Sequence, residues 1–215
     1  MAYPVTPTEF EDNLYQPEWF ATDFMHTQDG VKEFPKHHCK MTYLKSLSYV
    51  KTFNNAVDIG CRDGEYSRYL QDKFSHIFAF DARKRRFFPY NVDMKKVTHF
   101  TCGLGDVRET IDMFGGTHNR TNGKHHKVEC YPLDAFGITD VSYIKIDVEG
   151  FEKKVLMGAE QTILREKPLI VIEQNDVMLE GEADHFSAKK WLEARGYRHV
   201  DTCDRGWDYI MMAEG

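Results

Sequence analysis

The eight residues Val57-Asp-Ile-Gly-Cys-Arg-Asp-Gly64 constrain this chain more than any other stretch. Val57, Asp58 and Ile59 read as the end of a buried strand, and Gly60 and Gly64 bracket the bend after it. Tyr66, Tyr69, Leu70 and Phe74 then recur at one-face helical spacing. A second strand over 76–80 ends on Asp81, about twenty residues past Gly60. A glycine turn lets a ligand come close to the backbone, and an acid at the next strand end can take two ribose hydroxyls. The order strand, glycine turn, helix, acid-tipped strand therefore predicts half of a doubly wound sheet that holds an adenosine-type ligand.

The alternation continues along the chain. A short helix is expected over 41–50, then strand 55–59, helix 64–74, strand 76–80, a basic helical stretch near 83–95, and strand 97–102. Weak strand character at 109–114 and 126–131 flanks a Gly-Gly-Thr-His-Asn-Arg-Thr-Asn-Gly segment that reads as a turn. Strand 141–147, helix 151–167, strand 169–173 and helix 186–195 follow, and two strands near 197–202 and 207–213 end the chain. This order predicts a Rossmann-like α/β fold, a mostly parallel sheet with helices on both faces. The closing strands suggest a hairpin with one antiparallel member. Residues 1–50 read as an N-terminal arm or cap, and 51–215 as the main domain.

A chain of 215 residues with 41% hydrophobic content can bury a full core. No apolar run approaches the ~20 residues needed to span a bilayer, and the N-terminus has no secretory h-region. Five cysteines without a CxxC pair suit reduced thiols, so a cytoplasmic setting is expected. The formal charge of −6 disfavours non-specific binding to nucleic acid.

Three nucleotide sites compete at the first turn. A P-loop is excluded, because no Gly-Lys-Ser/Thr occurs. A dinucleotide turn needs GxGxxG to seat a pyrophosphate, and Arg62 stands where the middle glycine would be. S-adenosylmethionine has no phosphate but offers a carboxylate and an ammonium. Backbone N–H groups of the turn and Arg62 suit the carboxylate, and Asp58 or Asp63 suits the ammonium. The turn therefore favours S-adenosylmethionine.

Several blocks resemble one family. They are Val57-Asp-Ile-Gly-Cys-Arg-Asp-Gly-Glu-Tyr-Ser67, Phe80-Asp81, Cys102-Gly-Leu-Gly-Asp106, Leu133-Asp134, Tyr143-Ile-Lys-Ile-Asp-Val-Glu-Gly-Phe-Glu152, Val155-Leu-x-Gly-Ala159 and Pro168-Leu-Ile-Val-Ile-Glu173. In this order they resemble the FkbM methyltransferases, with Ile-Lys-Ile-Asp-Val-Glu-Gly the most specific piece. The family commonly has a small residue and Asn after the first glycine, where this chain has Cys61 and Arg62. The resemblance implies a seven-stranded methyltransferase sheet and transfer to a hydroxyl, often of a sugar or glycan. By the same resemblance, Gly60, Cys61 and Gly64 line the methionine end and Asp81 holds the ribose. Ala82, Gly103 and Leu104 flank the adenine, and Asp147 faces the transfer site.

Methyl transfer to a hydroxyl needs a proton acceptor at the strand tips, and Asp147, Glu149 and Glu173 are the carboxylates placed for it. Asp147 with Glu173 and Asp176 would also suit a divalent cation, although nothing in the spacing demands one. Lys36-His-His-Cys-Lys40 and Lys124-His-His-Lys127 lack ligand spacing, and adjacent histidines on an extended chain diverge, so solvated loops are expected there. His118 and His125 are minor candidates for acceptor contact. Arg83-Lys-Arg-Arg86 reads first as a solvated helix face and second as a site for an acidic acceptor. A nucleic-acid methyltransferase is the enzymatic rival, but Asp147-Val-Glu-Gly stands where an amino-methylating enzyme carries [DN]PP[YFW]. A non-catalytic cofactor-binding protein is the other alternative. Acceptor identity and oligomeric state are not legible.

Overall fold

The computed structural model describes residues 2–11, 13–17, 23–33, 37–114, 125–175, 184–203 and 206–215. Its centre is a seven-stranded sheet. In chain order its strands are β3 (Asn55–Ile59), β4 (His76–Asp81), β5 (Val97–Thr101), β9 (Val141–Ile146), β10 (Leu169–Glu173), β11 (Tyr197–Thr202) and β12 (Asp208–Ala213). Across the sheet they lie β5-β4-β3-β9-β10-β12-β11, all parallel except β12, which runs antiparallel to both neighbours. The strand order reverses between β3 and β9, and the carboxyl ends of the strands at such a switch point frame a crevice.

Both faces of the sheet are covered, so its strands read as nearly continuous apolar runs. On one face, Ile59, Phe80, Ile144, Ile146 and Ile172 pack against helices α4 (Glu152–Gly158), α5 (Glu160–Glu166) and α6 (Ser187–Glu193). On the other, Ala56, Ala79, Tyr143 and Val171 pack against α1 (His38–Leu47) and α2 (Ser67–Lys73). Asp58 and Lys145, adjacent in register, interrupt this second face with two buried charged side chains.

Two further sheets flank the crevice. The weak strand signals at 109–114 and 126–131 are a real antiparallel pair, β7 (Glu109–Phe114) and β8 (His125–Tyr131). They join the short β6 (Gly103–Leu104) in a three-stranded sheet. In the arm, β1 (Phe24–Thr27) and β2 (Gly30–Glu33) form a hairpin that the sequence pattern did not suggest.

Three expectations need correction. The basic stretch 83–95 is helical only over α3 (Phe88–Asn91). Asp81 accepts the Arg83 N–H, which bends the chain, and Pro89 starts the single turn. The helix expected over 151–167 breaks at Ala159. Gly158 lies there so close to Gly105 that a Cβ would sit 1.9 Å from its carbonyl oxygen. The first helix begins three residues earlier than expected, at His38, because the His37 side chain accepts the Cys39 N–H and caps it.

Candidate active site at the strand tips

The turn after β3 is held by its own backbone. Gly60 has φ +82°, and a Cβ there would lie 1.8 Å from the carbonyl oxygen of Asp147. The Asp147 N–H in turn donates to Ile59 at 3.0 Å, so the tips of β3 and β9 touch. The amides expected to face a ligand carboxylate are taken: Gly60 and Cys61 donate to Phe80 at 2.9 and 3.1 Å, and Arg62 donates to Asp81 at 3.0 Å. The Arg62 side chain, largely exposed and 3.5 Å from Glu65, stays in play for that role. Gly64 serves packing, since a Cβ there would lie 2.4 Å from the Val92 side chain.

Asp58 lies beneath the turn, not on a cleft wall. Ser67 donates to it at 2.6 Å, and burial pushes its carboxyl up to about 7 against the opposing pull of Ser67 and Lys145. Cys61 is buried as well.

A cleft of about 510 Å³ opens between β4, β6 and the β9 tip. Gly60, Arg62, Asp81, Ala82, Gly103, Leu104, Asp147 and Glu149 all line it. Ile111, Met113 and Val128 of the small sheet roof it, and Gln28 of the arm hairpin reaches its rim. A volume of this size and a mixed apolar and charged lining are those of a small-molecule site. Asp81, only 5% exposed, accepts from the Arg83 N–H at 2.9 Å and from Arg85 Nε at 3.0 Å besides Arg62. Arg83, which also lines the cleft, has a buried Nε and terminal nitrogen with no hydrogen-bond partner among the described residues.

Behind Asp147 lies a charged cluster. Lys145 Nζ is 3.7 Å from Asp147 and 3.3 Å from Asp208. Burial opposes its charge, but Asp208, Asp147 and Glu173 together outweigh burial and raise its pKa. Asp208 is buried too, yet Lys145 and a 2.8 Å hydrogen bond from Thr42 hold its carboxyl below the usual range. Glu173 lies outside the cleft lining, hydrogen-bonded to Asp147, and burial and that neighbour push it up to about 8. Glu149 sits at φ +57° in a loop fastened by Glu152, which accepts from Val148 and Gly150. An ammonium thus already occupies the space between Asp147 and Asp208, a donor set that fits a divalent cation poorly. Asp176 and His118 lie outside the described residues, as does the His125 side chain.

Sequence reasoning missed Lys145 and Asp208. A lysine inside the apolar Tyr143-Ile-Lys-Ile146 run was an available signal for the first. Asp208 carries no local signal. The histidine expectation is also corrected at one place: the rings of His37 and His38 stack with centroids 4.5 Å apart where α1 begins.

A family model described as the methyltransferase FkbM domain matches residues 51–199. No curated protein sequence matches the chain. Among solved structures, a methyltransferase FkbM from Methylobacillus flagellatus aligns with TM-score 0.50 at 19% identity over 77% of this chain. The chain spans less than half of that protein, 45% of its length. Precorrin 8w decarboxylase from Methanobacterium thermoautotrophicum gives TM-score 0.51 at 14% identity, covering 89% of this chain and 97% of the other. A Streptococcus mutans protein solved in complex with SAH gives 0.50 at 11% identity, covering 83% and 98%. At these identities the likeness to solved structures is one of fold.

Proposed function

The chain belongs to the FkbM methyltransferase family, and we propose that it methylates a hydroxyl of a sugar, glycan or other small molecule with S-adenosylmethionine as donor. One observation carries this reading. A single cleft joins an acid at the β4 tip, small residues at the β6 edge, and Asp147 at the β9 tip. Asp81 binds the ribose hydroxyls, and Ala82, Gly103 and Leu104 leave a thin slot for the adenine. Arg62 reaches toward the carboxylate of the methionine end.

The bound sulfonium supplies an activated methyl group. Asp147, on the cleft wall, orients the acceptor hydroxyl and takes its proton as the new C–O bond forms. Lys145 supplies the positive charge beside Asp147 that a metal ion would otherwise bring. Glu173, with its carboxyl proton held up to about 8, keeps a second negative charge away from Asp147 at neutral pH. Glu149, held on its strained loop, faces the acceptor. We read 1–50 as an arm on a 51–215 domain, with α1 packed on the sheet and tied in by Thr42.

Among the described residues no helix is long and apolar enough to cross a membrane, and all five cysteines are free and buried. We take a cytoplasmic setting with a dissolved acceptor as the reading that fits. Calorimetry with S-adenosylmethionine, followed by turnover on a glycan panel, tests the function. Binding with methyl transfer to a hydroxyl supports it; binding without turnover on any acceptor favours a non-catalytic binder; no binding removes both.

A further inference from the structure

We infer that His37, His38 and Cys39 form a Zn²⁺ site at the start of α1, outside the residues that line the cofactor cleft and those matched by the family model. One ligand atom from each of the three residues lies within 4.8 Å of the others. Among the described residues this is the one group of histidines, cysteines or acids so gathered.

The chain geometry explains the gathering. His37 is extended at φ −59° and ψ 133°, and the helix begins at the next residue. This bend turns the two imidazoles the same way, with ring planes 27° apart. His37 Nδ1 accepts the Cys39 N–H at 3.3 Å, so it carries no proton and is the ring's ligand atom, given to the metal when that bond opens. His38 Nε2 lies 3.4 Å from Cys39 Sγ. With Zn–N near 2.0 Å and Zn–S near 2.3 Å, two such ligands at a tetrahedral metal stand roughly 3.5 Å apart. That edge is already in place, and the third ligand joins when His37 exchanges its bond to the Cys39 N–H for the metal.

The donor set selects the metal. One thiol and two imidazoles are borderline-soft ligands, which suit Zn²⁺ and not the oxygen-seeking Mg²⁺ or Ca²⁺. As the metal–sulfur bond forms, the thiol proton leaves to solvent. Three protein ligands leave a fourth position for water or an exchangeable group. Cys39 is buried, whereas both histidines are half-exposed, so the site is approached from the imidazole side.

The test uses the full-length chain, stripped of metal and carrying no histidine tag, titrated with Co²⁺ as a coloured stand-in for Zn²⁺. One saturable equivalent with a near-ultraviolet thiolate-to-Co²⁺ band, displaced by Zn²⁺, is the expected result. Cys39→Ser should abolish the band and His38→Ala should weaken binding at least ~10-fold. Cys203→Ser and His126→Ala should leave both unchanged. Absence of the band in the unmodified chain, or its persistence in Cys39→Ser, would overturn the assignment. Should Cys39→Ser fail to fold by circular dichroism, the half-exposed pair His37→Gln/His38→Gln decides, and unaltered affinity in it sinks the site.

Discussion

On the β3–β4 side of the cleft the fixing contacts are short in sequence: Arg62 reaches Asp81 across 19 positions and Ser67 reaches Asp58 across nine. On the β9–β10 side they are long. Thr42 meets Asp208 across 166 positions, and Ser46 meets Tyr143 across 97. The first wall is made by a turn whose geometry is written in consecutive residues. The second is made by buried charges that find each other only when distant segments have packed. One wall of the cleft is therefore set by backbone, while the other depends on electrostatic balance inside the fold.

Breaking the second wall should cost most. Lys145→Met leaves the buried Asp208 and the half-buried Asp147 near one another without their cation, and removing one partner of such a cluster destabilises by about 3–5 kcal/mol. Chemical denaturation reads this, and a cost under about 1 kcal/mol would show that the wall does not depend on the charge balance. Breaking the first wall needs only a methyl group. Gly60→Ala drives a Cβ into the Asp147 carbonyl at a left-handed φ, an expected loss of about 3 kcal/mol. Gly64→Ala meets a movable Val92 side chain and should cost less.

A third substitution sharpens the contrast by acting on the ligand. Asp81→Ala should weaken S-adenosylmethionine binding more than ~10-fold by calorimetry, since a charge-assisted hydrogen bond contributes roughly 1.5–3 kcal/mol. Unchanged affinity would move the ribose elsewhere. Thr42→Val removes one neutral hydroxyl from Asp208 and should cost about 1 kcal/mol, a measure of how firmly the arm is tied.

The last effect concerns pH. Asp58 titrates near 7 in the folded chain and near 3.8 when unfolded, so the folded state holds the extra proton between those values. Its contribution to stability is present below about 3.8, falls as pH rises toward about 7, and is level above that. The melting temperature of Asp58→Asn should fall less than that of the parent chain across this window. Parallel curves would mean that Asp58 does not carry the titration.

The same contrast explains what the sequence made legible. The β3 turn, Asp81 and the strand–helix alternation follow from local rules of glycine geometry and apolar spacing, and so they were read. The helix break at Ala159 was hidden, because it answers to Gly105, a contact between distant segments. The exhausted amides of Gly60 and Cys61 were hidden for the same reason, since their acceptor is the Phe80 carbonyl of the next strand. Asp208 sits in a strand read correctly as a strand, but its partner lysine lies three strands earlier in the chain. The histidine pair was misread through one residue of backbone, the point where extended chain becomes helix.

The Thr42–Asp208 bond has a practical corollary for anyone shortening this polypeptide. Cutting it back to the family-matched span, 51–199, would delete α1 together with strand β12 that bears Asp208. Lys145 would lose its nearest counter-charge and Tyr143 its hydroxyl neighbour Ser46, and the aromatic layer beneath them would meet water. The smallest self-standing unit here is thus larger than the family-matched span, with α1 as its keystone.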